Sequence, residues 1–142
     1  MSNLNQGPKR FKGSIIITDP CYIFRDDDWE ESEWGDSPDK IGFQTYLVSS
    51  TGYGDWSCGT FKEKTDELLG KFCADAGLVG VFLLDEIKSY NPNYDVERET
   101  IYAATLIKDF DGEIWIEENR EFGNVKIIGR GNINFHTEQT GL

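Results

Sequence analysis

No stretch of this chain approaches the ~18 consecutive apolar residues of a membrane-spanning helix, and residues 1–12 are too polar for the core of a secretory signal. Cysteine is scarce. Cys21, Cys58 and Cys73 form an odd set without C-x-x-C spacing, which argues against a disulfide framework and suits free thiols in a reducing cytoplasm. Histidine is scarcer still: His136 stands alone, and no His/Cys pattern has the spacing of zinc ligands. Neither G-x-x-x-x-G-K nor G-x-G-x-x-G occurs, so no phosphate-cradling loop is marked. The expectation is a cytoplasmic protein with no membrane segment, no metal and no cofactor. Basic residues are also short, 14 Lys and Arg against 26 Asp and Glu, for a net charge of −12.

That imbalance is local. Between Asp26 and Asp39 there are eight carboxylates and no Lys or Arg, so this stretch carries −8 of the charge and the rest of the chain only −4. A patch of this sign repels phosphate backbones, which argues against direct nucleic-acid binding, and it attracts basic protein surfaces. Two indoles, Trp29 and Trp34, sit among the carboxylates.

What is present is enough for one core. At 142 residues, with 38% hydrophobic and 13% aromatic content, the chain reads as a single domain over residues 13–142 behind a flexible tail at 1–12. The β-branched run Gly13–Thr18 stops at Asp19-Pro20; it is continuous instead of alternating, which predicts a strand buried on both faces. Residues 26–40 read as an acidic surface loop. Strands are predicted over 41–48, 56–61, 78–84, 100–107, 113–117, 125–128 and 132–135. Lys62–Leu69 carries helix formers, and Asp109–Gly112 has the Asp-Gly signal of a hairpin. The fold class expected is mainly β (a β-rich α+β domain), an antiparallel sandwich or partly open barrel with at most one short helix. Edge strands in such a domain could pair two copies into an oligomer.

Two short boxes mark turns beside strands: Thr18-Asp19-Pro20-Cys21-Tyr22 and Thr51-Gly52-Tyr53-Gly54-Asp55. Together with Ala74-Asp75-Ala76-Gly77-Leu78-Val79-Gly80-Val81, this ordered series resembles an uncharacterised family of domains of unknown function from bacteria and their phages. That family carries D-P-C-Y, T-G-[FY]-G-D-G-x-Y and D-[SA]-G-x-[IL]-x-V elements. The resemblance covers roughly residues 13–84 and departs from the pattern at Trp56, where a third Gly is usual, and at Gly59, near the usual Tyr. It implies a fold class and a phage connection, and no activity.

Cys21 is a candidate nucleophile for a Cys-dependent hydrolase, but it needs a base or a helix N-terminus to become a thiolate, and only His136 could serve as an imidazole. Asp19 and Asp55 could form a carboxylate pair, although Asp beside Pro or Gly is also the favoured turn residue. Asp19, Tyr22, Arg25, Tyr53, Asp55 and Trp56, with Phe61 and Lys62, could line a pocket for a flat ligand such as a nucleotide; rings at strand positions more often belong to a core. The leading expectation is a non-enzymatic acidic binding protein that occupies a basic surface of a host protein in the manner of a nucleic-acid mimic. Its contact residues would be Asp26, Asp27, Asp28, Trp29, Glu30, Glu31, Glu33 and Trp34, with the indoles as anchors. Small-molecule binding is the alternative, and the hydrolase a second.

Overall fold

A computed structural model describes residues 5–51, 56–119 and 124–141. Its strands are β1 (Lys9–Thr18), β2 (Tyr46–Ser50), β3 (Trp56–Lys62), β4 (Leu68–Ala74), β5 (Leu78–Leu83), β6 (Ala104–Asn119), β7 (Asn124–Gly131) and β8 (Phe135–Gly141). They form one antiparallel sheet in the order β2-β5-β1-β6-β7-β8-β3-β4, curled into a half-barrel. The helices are short: α1 (Asp26–Glu31), α2 (Leu84–Tyr90) and α3 (Val96–Glu99), with 3-10 turns at Pro20–Tyr22 and Pro38–Ile41. The mainly β expectation therefore holds, with a single helix reaching seven residues.

The curl brings distant strands together. β4 and β6 stand four places apart in the sheet, yet a Cβ on Gly70 would lie 2.9 Å from the Thr105 methyl, and the Oγ1 atoms of Thr60 and Thr105 are 3.1 Å apart. The inner face so enclosed holds the larger core, including Phe11, Ile15, Ile17, Leu47, Trp56, Phe72, Val81, Phe110, Ile114, Ile127 and Phe135. A second cluster lies on the opposite face, where Ile16, Val48, Leu78, Phe82 and Ala104 of the sheet meet Ile23, Phe24, Phe43, Ile87 and Tyr94 of the helical connections. Ile15, Ile16 and Ile17 are all fully buried, on alternating faces, which is why that run is continuous.

Several local expectations are overturned. Strand β6 runs unbroken through Asp109–Gly112, so there is no hairpin there. Asp109 takes φ 51° and the β1–β6 register shifts between Gly13 and Ile15, the marks of a bulge. Gly112 pairs with Gly131, and a Cβ on it would come within 2.3 Å of the Arg130 carbonyl; the glycine serves close strand approach. Lys62–Leu69 is not a helix: it ends β3, turns at Glu63–Glu67 and begins β4, with Lys64 and Asp66 at positive φ and the Lys62 N–H donating to the Glu67 carbonyl at 2.8 Å. The segment has no apolar stripe to bury, so helix propensity alone could not win. The 1–12 tail expectation fails from Asn5 onward: Asn5 bridges Val48, and β1 begins at Lys9 with Phe11 fully buried.

Candidate partner-binding surface

The sequence boxes converge, and they do so as a structural junction. Asp19 is fully buried; Oδ1 accepts from the Cys21 N–H at 2.9 Å, while Oδ2 accepts from Ala76 N–H at 2.8 Å and Leu78 N–H at 3.2 Å. The Thr51 N–H donates to the Gly77 carbonyl at 2.8 Å, and the Tyr22 hydroxyl donates to Asp75. Asp19, one member of the expected carboxylate pair, thus pins the turn entering β5. Burial pushes the Asp19 carboxyl above its ordinary value, and the three N–H bonds pull the other way. Tyr53 and Asp55 lie outside the described residues.

Burial and the neighbouring Asp19 charge push the Cys21 thiol far up, opposite to what a nucleophile needs. His136 faces other partners: Nε2 lies 2.7 Å from Glu138, Nδ1 lies 3.6 Å from Glu63, and its ring stacks on Phe61. Of the ligand-pocket set, Asp19 and Tyr22 are tied into the junction at the start of β5. Trp56 is turned into the inner core at 7% exposure, and the Arg25 guanidinium lies 4.6 Å from the Tyr90 ring and donates to the Tyr90 carbonyl. Among the described residues no group of three His, Cys, Asp or Glu side chains is placed to hold a metal.

The acidic stretch, by contrast, keeps most of its carboxylates exposed. The expected loop is a helix followed by a tight left-handed turn. Asp26, Asp27 and Asp28 occupy the first turn of α1, where the helix dipole favours negative charge. The chain then reverses through Glu33 (φ 55°), Trp34 (φ 60°) and Gly35 (φ 89°). Buried Ser32 locks the reversal: its hydroxyl donates to the Trp29 carbonyl at 2.8 Å and accepts from the Gly35 N–H at 3.2 Å. Trp34 N–H donates to the Trp29 carbonyl and Ser37 N–H to the Ser32 carbonyl, both at 2.9 Å. A Cβ on Gly35 would lie 2.9 Å from Leu78 Cδ1 and 3.0 Å from Trp29 Cη2, so only glycine fits this turn.

The two indoles therefore separate. Trp29 is half-buried against Gly35, Leu78 and Phe24, and acts as a wedge beneath the turn instead of an anchor for a partner. Trp34 is 62% exposed on the crest. Asp28 accepts from the Tyr90 hydroxyl at 2.6 Å, Asp39 accepts from the Tyr46 hydroxyl at 3.0 Å, and Glu33 pairs with Lys40. Asp26, Asp27, Glu30, Glu31 and Asp36 are exposed, and their carboxylates have no side-chain partner among the described residues.

Sequence reasoning missed two features. One is the His136 network, in which Arg130 pairs with Glu63 at 3.0 Å and lies over Trp115; it assembles across β6, β7, β8 and the end of β3. The other is a shallow groove of about 240 Å³ beside the acidic stretch, lined by Ile41, Gly42, Phe43, Glu86, Ser89 and Tyr90. No helix among the described residues is long and apolar enough to cross a membrane. Comparison with known proteins finds no matching family model, curated protein or solved structure.

Proposed function

We propose that this chain is a non-enzymatic binding protein whose acidic segment, 26–39, docks on a basic surface of a partner protein, in the manner of a nucleic-acid mimic. One observation carries the reading: Trp34 is held 62% exposed, at positive φ, on a turn fixed by Ser32 and Gly35, in a stretch whose exposed Asp26, Asp27, Glu30, Glu31 and Asp36 have no side-chain partner among the described residues. A large indole kept out of the core in a strained conformation gains nothing for folding and suits a hot spot, where Trp is enriched. The carboxylates supply steering and register. The raised Cys21 pKa and the separation of His136 from Cys21 make a thiol hydrolase the weaker reading. The phage connection implied by the sequence boxes belongs to this proposal, with a host protein as the partner.

Affinity capture from a host lysate at low and high salt, followed by calorimetry on the purified partner, tests it. Binding should weaken as salt rises, and Trp34→Ala should cost about 2 kcal/mol, roughly thirtyfold in Kd. A partner bound equally well by the Trp34→Ala protein, or with an affinity indifferent to salt, would remove the reading.

A further inference from the structure

The groove beside the acidic segment has the chemistry of a cation site. Glu86 in its wall is fixed by backbone groups: Oε1 accepts from Gln44 N–H at 2.7 Å and Thr45 N–H at 3.3 Å, and Oε2 from Thr45 N–H at 3.2 Å. This carboxylate is oriented before any ligand arrives, has no Lys or Arg partner among the described residues, and keeps an acceptor site on Oε2 for a further donor. The opposite character comes from Phe43 and Tyr90, whose rings lie 5.4 Å apart, and from Ile41. Tyr90 already accepts one guanidinium, that of Arg25 at 4.6 Å from its ring. At Gly42 an added Cβ would meet nothing within 4 Å, so the groove is open on that side.

Size and position narrow the ligand. Pockets for drug-sized molecules run from about 300 Å³ upward, so about 240 Å³ suits one long side chain better than a nucleotide. The wall carrying Ile41 is the end of the 3-10 turn that closes the acidic segment, and Tyr90 is hydrogen-bonded to Asp28 of α1. A chain lying along the acidic face therefore passes the groove mouth. We propose that the groove receives an arginine side chain of the basic partner, its guanidinium donating to Glu86 Oε2 and its stem against Phe43 and Ile41. Arginine fits better than lysine because a planar guanidinium stacks on a ring while an edge N–H donates to a carboxylate. This rests on the proposed function and names the partner group that its surface reads.

The test is an amide NMR titration of the whole chain with the peptide Ac-Gly-Arg-Gly-NH2 and with its citrulline counterpart, which has nearly the same shape without the charge. Saturable shifts at Gly42, Gln44, Thr45 and Tyr90 with the arginine peptide, and about tenfold weaker binding of the citrulline peptide, are expected. Glu86→Gln should weaken binding about fivefold while leaving an oxygen to accept the Gln44 N–H. Ser89→Arg, at an exposed groove position, should place a guanidinium in the groove and abolish the shifts. Equal binding of the two peptides, or no saturable shift at those amides in the unaltered chain, overturns the proposal. Shifts confined to residues 26–36 would overturn it too while leaving the acidic surface standing. Groove shifts together with partner binding indifferent to Trp34 would uphold the groove and sink the surface reading.

Discussion

Trp29 and Trp34 are five residues apart in one acidic stretch and differ in what their removal should do. Trp29 fills the space between Gly35, Leu78 and Phe24, so Trp29→Ala leaves a gap under the turn and should destabilise the chain by about 2–3 kcal/mol, less than a fully buried indole because its outer edge is wet. Trp34→Ala removes an exposed side chain and should stay within about 0.5 kcal/mol of the parent. Urea unfolding followed by far-UV circular dichroism separates the two; equal losses would mean that Trp34 has a structural duty and weaken its assignment as an anchor. Composition could place both indoles among carboxylates but could not tell them apart. What separates them is Leu78, more than forty residues away, and the left-handed turn at 33–35. The same limit applied at Asp19, whose turn role was legible from Pro20, whereas its hold on Ala76 and Leu78 was not.

At the scale of elements, the glycines decide what the sheet can be. Gly112 faces Gly131 across β6 and β7, where added side chains would meet the Arg130 and Asp111 carbonyls at 2.3 and 2.2 Å. Gly112→Ala should therefore force the strands apart and cost about 2 kcal/mol, within the range of overpacked sites. The urea midpoint measures it, and a neutral Gly112→Ala would show that the approach is not tight. This crowding also explains a misread element. Asp-Gly between apolar runs predicts a hairpin from local residues alone, but with Asp109 in a bulge and Gly112 packed on its neighbour, the same letters serve a sixteen-residue strand. Elements set by a strong local pattern were legible: the Gly13–Thr18 run, Trp56–Phe61 and Leu78–Leu83 all lie in strands close to their expected bounds. Those set by distant pairing were not. His136 was expected beyond the last strand, and it lies in β8 because that strand continues to Gly141 and pairs with β3.

For the molecule as a whole, the acidic segment is clipped to the body by two phenols. Tyr46 on β2 donates to Asp39, and Tyr90 on α2 donates to Asp28, so one clip lies near each end of the stretch. Burial, then the bond to the partner carboxylate, pushes Tyr46 up to about 12; burial first and the Asp28 bond also push Tyr90 up to about 12. A phenol whose folded value exceeds its ordinary 10.0 binds its proton more tightly when folded. The stabilisation is therefore complete below about pH 10 and is lost as pH rises through about 12, where a phenolate would face a carboxylate. Stability of the parent should fall between pH 10 and 12 more steeply than that of a chain carrying both Tyr46→Phe and Tyr90→Phe, which has no phenol to ionise at either clip. Urea midpoints at about pH 9, 10.5 and 11.5 supply the comparison. Parallel curves for the two proteins would mean that the clips add nothing, and that the acidic face is held by Trp29 and the Ser32–Gly35 turn alone. A steeper parent curve would show that the display surface is fastened at both ends, which is what a preorganised docking face requires.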